Sequence, residues 1–196
     1  MCGFFGQFNR LNIPESEFRG LLLMGAHRGP DQTGYWEGEH VQFGFNRLAI
    51  LDLTDAGHQP MSSPYDKYMV VFNGEIYNHQ DIRKKLPNYK YRGHSDTETI
   101  CHALEIWGLR KTVESLDGMF AIAIYDIEAQ ELNLVRDFAG VKPLFYGQID
   151  GEVVFSSQYD QLKAHPKFSR QPIDEQVLKL YLTQHFVPAP FCLHKN

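Results

Sequence analysis

The sequence predicts an α+β domain in which antiparallel strands form sheets and a few helices pack on the sheet faces. Pairs of apolar segments separated by short turns predict β-hairpins, and Asp150-Gly151 is a strong turn signal of this kind. Apolar residues at helical spacing follow Ser95, where Ser95 and Glu98 form a capping-box pattern that is typical of a helix start. The chain has 196 residues, of which 43% are hydrophobic, so it can bury the core of one domain.

The first half of the chain begins with strands and one helix. Gly3–Phe8 predicts a first strand. Apolar residues at helical spacing predict a helix from Glu17 to Met24, which the glycines and proline of residues 25–30 end. Phe43–Leu53 and Tyr68–Phe72 are apolar runs that predict extended structure.

The second half contains the longest predicted helix and both hairpins. The helix runs from Ser95 to Leu109. Segments 119–125 and 132–135 flank a turn at 128–130, and segments 144–146 and 153–155 flank Asp150-Gly151, so each pair predicts a hairpin. Two further helical patterns cover 158–163 and 174–182. A proline-punctuated segment begins at Phe186 and predicts a linker, with a natural chain end as the alternative.

Composition restricts the function classes. The net charge is −5 and no basic run occurs, which argues against a nucleic-acid partner or an anionic membrane surface. No apolar stretch approaches the ~20 residues of a membrane span, and no signal peptide precedes Cys2. The three cysteines are widely spaced and show no C-x-x-C pattern, which predicts a cytoplasmic protein with neither a disulfide framework nor a zinc site.

Cys2 is the first candidate for chemistry. It follows the initiator methionine, whose removal would leave a thiol and a free α-amine on one residue. A thiol with its ordinary pKa of ~8.5 is mostly protonated at neutral pH, whereas an α-amine with a pKa of ~7.7–8.0 can accept the proton. Cys2 is therefore a candidate nucleophile. The alternative is a small hydrophobic residue in the first strand.

Three other positions carry polar chemistry. Asn73 and Gly74 follow an apolar strand and could supply two donors to an oxyanion, although an ordinary Asn-Gly turn is the simpler reading. Arg47 lies in an apolar segment, where it could bind a carboxylate or form an ion pair with an acid such as Asp52 or Asp55. Asp96 lies at a helix start, where it could bind an ammonium group or simply complement the helix dipole.

These residues belong to eight motifs that occur in order along the chain. The motifs are Cys2-Gly3, His27-Arg28-Gly29-Pro30-Asp31-x-x-Gly34, Arg47-Leu48-Ala49-Ile50, Gly57-His58-Gln59-Pro60-Met61, Asn73-Gly74-Glu75-Ile76-Tyr77-Asn78-His79, Ser95-Asp96-Thr97-Glu98, Gly118-Met119-Phe120-Ala121 and Arg136-Asp137-x-x-Gly140-x-Lys142-Pro143-Leu144. Together they resemble one family, the glutaminase domain of glutamine-hydrolysing asparagine synthetases, which are class II glutamine amidotransferases with an N-terminal nucleophile. The resemblance covers the chain from Cys2 to about Lys195.

The resemblance implies a fold, a reaction and a set of roles. The fold is a four-layer α-β-β-α sandwich with mainly antiparallel sheets, of the N-terminal-nucleophile hydrolase type. The reaction is hydrolysis of L-glutamine to glutamate and ammonia through a Cys2 γ-glutamyl thioester. The implied catalytic residues are Cys2, Asn73 and Gly74. The implied substrate-binding residues are Arg47, Leu48, Ala49, Ile50, Leu51, Asn73, Gly74, Glu75 and Asp96.

The resemblance also implies partners. Residues 2–185 correspond to the type 2 glutamine amidotransferase domain, and residues 186–196 to the start of a linker to an ATP-dependent synthetase domain that is absent here. The glutaminase step needs no metal or cofactor, whereas the synthetase domain is expected to use ATP and Mg²⁺ to amidate aspartate, as a ligase in asparagine biosynthesis. We also consider a homodimer.

Other functions remain as alternatives. The ammonia acceptor could differ, because a fold does not fix a function. A catalytically inactive domain with a regulatory or assembly role is a second alternative, and an N-terminal-nucleophile hydrolase of another amide is a third. The presence of Cys2, Asn73 and Asp96 favours activity, and Arg47 together with Asp96 favours an amino-acid zwitterion as substrate.

Overall fold

Two antiparallel sheets form the centre of the molecule. The computed structural model describes residues 1–9, 13–86, 90–188 and 191–194. In chain order the strands are β1 (Gly3–Phe8), β2 (Gln32–Glu37), β3 (Val41–Arg47), β4 (Met61–Ser62), β5 (Tyr68–Ile76), β6 (Gly118–Asp126), β7 (Glu131–Arg136), β8 (Phe145–Ile149) and β9 (Glu152–Ser156). The helices are α1 (Glu15–Leu23), α2 (His79–Lys85), α3 (Asp96–Ser115), α4 (Tyr159–Ala164) and α5 (Glu175–Gln184).

The strand order places the chain start in the middle of one sheet. The first sheet has the order β2-β3-β1-β9-β8 and the second has the order β4-β5-β6-β7. In the first sheet Gly3 pairs with Asn46 and Phe5 pairs with Ser156, so β1 is hydrogen-bonded on both sides. Cys2 therefore directly precedes a central strand and lies close to the end of β3.

The two sheets pack face to face. Successive residues of a strand point to opposite faces, so Phe4 faces the other sheet whereas Phe5 faces away from it. The core between the sheets contains side chains from both of them. These are Phe4, Val41, Phe43, Phe45, Met69, Val71, Ala121, Ala123, Tyr125 and Phe155.

Helices cover the outer faces of both sheets. Helices α1 and α4 pack on the first sheet through Phe18, Leu22 and Leu162. Helices α2 and α3 pack on the second sheet through Ile82 and Leu104, with their neighbours Ile100 and Ala103. The layer order is therefore helix, sheet, sheet, helix, which confirms the four-layer α-β-β-α sandwich and both predicted hairpins.

The start of α3 follows the predicted capping pattern in one half only. The Ser95 side chain accepts a hydrogen bond from the Glu98 backbone N–H at 3.2 Å. The Glu98 carboxylate does not complete the box, because it accepts hydrogen bonds from the backbone N–H groups of Arg92 and Gly93. Within α3, Gly108 has a φ of +75° and interrupts the helical backbone, close to the predicted end at Leu109.

Two predicted extended segments end at the wrong residue. The extended segment predicted for Phe43–Leu53 ends as a strand at Arg47, because the chain beyond it folds back onto the Arg47 guanidinium. The strand predicted for Tyr68–Phe72 continues to Ile76, because β6 pairs with it along its whole length. Asn73 and Gly74 therefore lie within β5 and not at a turn.

The end of the chain returns to the domain. The Asp174 N–H donates to the Leu193 carbonyl at 2.9 Å, and Ile173 forms an isolated bridge with His194. Part of the predicted linker over 186–196, namely 189–190 and 195–196, lies outside the described residues. Among the described residues, no helix is long and apolar enough to cross a membrane.

Candidate active site

Cys2 lies against the backbone that follows β3. Its Sγ accepts a hydrogen bond from the Leu48 N–H at 3.3 Å and lies 3.4 Å from the Leu48 carbonyl oxygen. Burial raises the pKa of the Cys2 thiol above its ordinary value, although the Leu48 N–H acts in the opposite direction. Because thiolate is scarce in such a site at neutral pH, a nucleophilic Cys2 needs a nearby base.

Two cationic side chains contact Cys2 and its neighbour Met1. Arg28 donates from Nε to the Cys2 carbonyl oxygen at 3.0 Å. The Lys142 ammonium, which is 7% exposed, contacts the Met1 sulfur at 3.4 Å. While Met1 is attached, the nitrogen of Cys2 is a peptide nitrogen and cannot accept a proton. Only removal of Met1 provides the α-amine base.

Asn73 and Gly74 are neighbours in β5, where Asn73 is buried and Gly74 is half-buried. Asn73 is 2% exposed, and its Nδ2 has no hydrogen-bond partner among the described residues. A buried donor without a partner is costly, so the Asn73 amide is suited to donate a hydrogen bond to a ligand oxygen. A Cβ at residue 74 would lie 2.3 Å from the Met119 carbonyl oxygen, so only glycine fits there. The structure thus replaces the predicted turn with a rigid strand.

Arg47 retains two free donors on one edge. Nη1 donates to the Gln32 side chain at 2.6 Å and to the Thr54 carbonyl at 2.9 Å, and Nη2 donates to the Asp52 carbonyl. Of the five guanidinium donors, one on Nε and one on Nη2 therefore have no partner among the described residues. Arg47 forms no ion pair with Asp52 or Asp55 within 4.0 Å among these residues, so the hydrogen-bond partners of this 5% exposed cation are neutral oxygens. Such a fork is suited to a carboxylate.

Asp96 provides the opposite charge. It is 5% exposed, and its two oxygens accept hydrogen bonds from the Ile76 N–H at 3.0 Å and the Thr97 N–H at 2.9 Å. Burial, helped by the nearby Glu75 carboxylate, raises the pKa of Asp96 from 3.8 to about 6, although hydrogen bonds from backbone N–H groups act in the opposite direction. An ammonium group bound here would relieve both effects.

One cleft brings these groups together. It is lined by Cys2, Arg47, Leu48, Ile50, Leu51, Asp52, Gly57, Gln59, Phe72, Gly74, Glu75, Ser95, Asp96 and Thr97. Of the predicted site residues, Ala49 and Asn73 are not in the lining. The Ala49 N–H is bound to the Asp31 carboxylate at 2.8 Å, and Asn73 lies beneath the surface beside Gly74. No group of metal-ligating side chains occurs among the residues that the structure describes.

The chain matches one known protein family along its whole length. The sequence profile described as "Glutamine amidotransferase domain" matches residues 1–196. The chain belongs to this glutamine amidotransferase family.

Relatives of this amidotransferase domain include two glutamine-hydrolysing enzymes. It is 36% identical over 200 residues to "Asparagine synthetase (glutamine-hydrolyzing) 1" of Bacillus subtilis, a match that covers 98% of this chain and 31% of the relative. It is 38% identical over 133 residues to "Asparagine synthetase (glutamine-hydrolyzing) 1" of Arabidopsis thaliana, covering 67% of this chain and 22% of the relative. The chain thus spans a third or less of the length of these relatives.

Solved structures show the same fold. The structure of glutamine phosphoribosylpyrophosphate amidotransferase from B. subtilis in complex with ADP and GMP has a TM-score of 0.69 at 18% identity, and the match covers 83% of this chain and 43% of that one. A structure described as the allosteric regulatory enzyme of purine biosynthesis has a TM-score of 0.66 at 20% identity, with the same coverage. These likenesses confirm the N-terminal-nucleophile hydrolase fold of the amidotransferase domain.

Several residues of the candidate site were not predicted from the sequence. Gln32 and Thr54 bind Arg47, and Arg28 binds the carbonyl of Cys2, yet none of them was assigned a role. Arg28 was within a recognised motif, which was a usable signal. Gln32 lies in β2, which was not predicted, and Thr54 acts through its backbone carbonyl, which leaves no signal in the sequence.

Proposed function

We propose that this domain hydrolyses the side-chain amide of L-glutamine. The observation that carries the proposal is the single cleft that contains the Cys2 thiol, the free edge of the Arg47 guanidinium and the Asp96 carboxylate. Glutamine has a matching set of groups: an α-carboxylate for Arg47, an α-ammonium for Asp96 and Glu75, and an amide for Cys2. Backbone groups of residues 48–51 complete the wall of the cleft.

Acylation is the first half of the reaction. The α-amine of processed Cys2 takes the thiol proton, and the sulfur attacks the amide carbon to form a tetrahedral oxyanion. The Asn73 amide and the Gly74 N–H donate hydrogen bonds to this oxyanion. When the carbon–nitrogen bond breaks, the α-ammonium returns the proton to the leaving nitrogen. Ammonia departs and a γ-glutamyl thioester remains on Cys2.

Deacylation restores the thiol. The α-amine takes a proton from a water molecule, whose oxygen attacks the thioester carbon. The same two donors stabilise the second oxyanion. When the carbon–sulfur bond breaks, the sulfur regains a proton and glutamate leaves. Neither half of this reaction requires a metal ion or a cofactor.

The ammonia is used elsewhere in a longer protein. We propose that the chain is followed by a synthetase domain that uses ATP and Mg²⁺ to transfer the ammonia to aspartate. The similarity to asparagine synthetases supports this assignment, since the chain matches only 31% of the length of one such relative. A homodimer and a cytoplasmic location belong to the same proposal, with a different acceptor as the principal alternative.

Glutamate release from glutamine tests the glutaminase. The assay uses protein whose intact mass shows that Met1 has been removed. We expect release by the wild-type chain and none by Cys2→Ala. Release that persists in Cys2→Ala would exclude the proposed nucleophile, and no release from processed wild-type protein would exclude autonomous glutaminase activity. Hydrolysis of asparagine in preference to glutamine would point to another amide substrate.

A further inference from the structure

One buried carboxylate lies between the two charged walls of the cleft. The first wall is Arg47 with the loop 48–54. The second wall is the segment 93–96, which ends with Asp96 in the first turn of α3. Asp52 belongs to the first wall and is only 5% exposed. Its contacts reach both walls.

Within the first wall, Asp52 closes the loop around Arg47. Its Oδ1 accepts hydrogen bonds from the Thr54 N–H at 2.9 Å and the Thr54 hydroxyl at 2.6 Å. Its carbonyl accepts from Arg47 Nη2, and the Thr54 carbonyl accepts from Arg47 Nη1 at 2.9 Å. Asp52 therefore fixes the backbone oxygens that orient the guanidinium and leave its other edge free.

In the second wall, Asp52 binds the backbone that leads to Asp96. Its Oδ2 accepts a hydrogen bond from the His94 N–H at 2.7 Å, two residues before Asp96. The contact is close, because a Cβ at Gly93 would lie 2.2 Å from the same oxygen. On its other side this segment is held by Arg83, which donates to the Gly93 carbonyl at 3.0 Å.

Asp52 stays ionised at neutral pH. Hydrogen bonds from Thr54 and His94 lower the pKa of Asp52 to about 2, so the three hydrogen bonds of its side chain are accepted by an ionised carboxylate. Charge-assisted hydrogen bonds of this kind are shorter and stronger than neutral ones. Asp52 is thus a permanent acceptor between the two walls.

We infer that Asp52 is a positioning residue that sets the distance and orientation between the carboxylate-binding Arg47 and the ammonium-binding Asp96, and so enforces recognition of the L-amino-acid end of the substrate. This inference rests on the proposed glutaminase function. It assigns specificity to a residue that does not itself need to touch glutamine.

Kinetics of Asp52→Asn test the inference. The asparagine keeps one acceptor but presents an amide N–H towards either Thr54 or His94. Misplacing a positioning group by ~1 Å can cost about 100-fold. We expect KM for L-glutamine to rise at least about tenfold and kcat to change less than about threefold, since Cys2, Asn73 and Gly74 stay in place. The selectivity for L- over D-glutamine should fall in parallel.

Matched variants distinguish a positioning role of Asp52 from a loss of protein stability. Asp66→Asn changes an exposed loop aspartate with a φ of +58° and should leave KM and selectivity unchanged. Gly93→Ala places a Cβ against the Asp52 carboxylate from the second wall, so it should also raise KM. The double variant Gly93→Ala, Asp52→Asn should show no higher KM than Asp52→Asn alone. If Asp52→Asn only lowers the fraction of folded protein, with KM and selectivity of the remainder unchanged, the inference is wrong.

Hydrogen exchange gives an outcome that does not depend on activity. Asp52→Asn should speed amide exchange in both walls, at Thr54 and at residues 94–96, whereas Asp66→Asn should speed it in neither. Faster exchange confined to the first wall would overturn the inference. If wild-type protein releases no glutamate, the proposed function fails, and the exchange result still decides whether Asp52 joins the two walls.

Discussion

At the scale of single residues, the Asn73 amide is the clearest sign of a prepared site. Its Nδ2 is buried and has no partner among the described residues. Removing one oxyanion donor typically lowers kcat by about 10²–10³. We therefore expect Asn73→Ala to lose activity by this factor, with KM within about threefold of wild type. Steady-state kinetics measure this, and Asn133→Ala in β7 is the control.

A large rise in KM with unchanged kcat in Asn73→Ala would contradict the oxyanion role. It would mean that Asn73 binds the ground state and the transition state equally well.

We expect Asp96 to make glutamine binding depend on pH. Burial raises its pKa to about 6, so Asp96 in the free protein becomes protonated as the pH falls below this value. The substrate ammonium needs the ionised form, and the dissociation constant should therefore increase about tenfold per pH unit below ~6. Calorimetry with Cys2→Ala protein, from about pH 5 to about pH 8, separates binding from catalysis.

The controls for this pH dependence are two variants. Asp96→Asn should bind weakly with a flat profile, whereas Glu114→Gln, on the exposed face of α3, should behave as wild type. A flat profile in the parent protein would contradict the assignment of Asp96.

The same raised pKa makes the free energy of unfolding fall as the pH rises from 3.8 to about 6.

At the scale of elements, two glycines predict opposite effects of the same substitution. A Cβ at Gly74 in β5 would lie 2.3 Å from the Met119 carbonyl oxygen, whereas a Cβ at Gly20 in α1 has no atom within 4 Å. Gly74→Ala should therefore destabilise the protein by about 1–3 kcal/mol and abolish activity. Gly20→Ala should stabilise it by about 0.5–1 kcal/mol and leave activity unchanged.

Urea denaturation followed by circular dichroism measures both changes. Equal stability of Gly74→Ala and wild type would show that β5 and β6 can separate at this point, and the rigid placement of the oxyanion donors would then be wrong.

The elements also show what the sequence could predict. The hairpins were predicted because apolar runs and turn residues are local signals. Strand β2 was not predicted because it contains Gly34, and a glycine there made the segment resemble a turn. In the structure Gly34 is needed for packing, since a Cβ at this position would lie 1.8 Å from the Gln59 carbonyl oxygen. Helix α2 was missed because Ile82 is its only buried residue and gives no periodicity.

The sequence likewise predicts some parts of the candidate site and not others. Cys2, Asn73, Gly74 and Asp96 were predicted because their chemistry is carried by the side chain or by the absence of one. The loop after Arg47 was wrongly predicted as extended. Its fold depends on hydrogen bonds from Arg47 to the backbone carbonyls of Asp52 and Thr54, and the sequence cannot show such backbone acceptors. The boundary at residue 185 stays a prediction.

At the scale of the whole molecule, one core holds both sheets. Phe155 is fully buried and packs against Phe4 and Phe43. Phe155→Ala should lower the free energy of unfolding by about 3–5 kcal/mol, since a cavity opens between the sheets. Phe138→Ala removes a fully exposed ring and should change it by less than about 0.5 kcal/mol.

Urea denaturation again gives the measurement. Two separate transitions in Phe155→Ala would contradict a shared core, because the sheets would then unfold independently.

The central claim is that Cys2 is the nucleophile of an amide hydrolysis. Processed protein is mixed with glutamine, quenched with acid during turnover and examined by intact mass and peptide mapping. We expect a γ-glutamyl group on Cys2 in wild type and none in Cys2→Ala. Glutamate release without any adduct on Cys2, or an adduct on another residue, would contradict the claim.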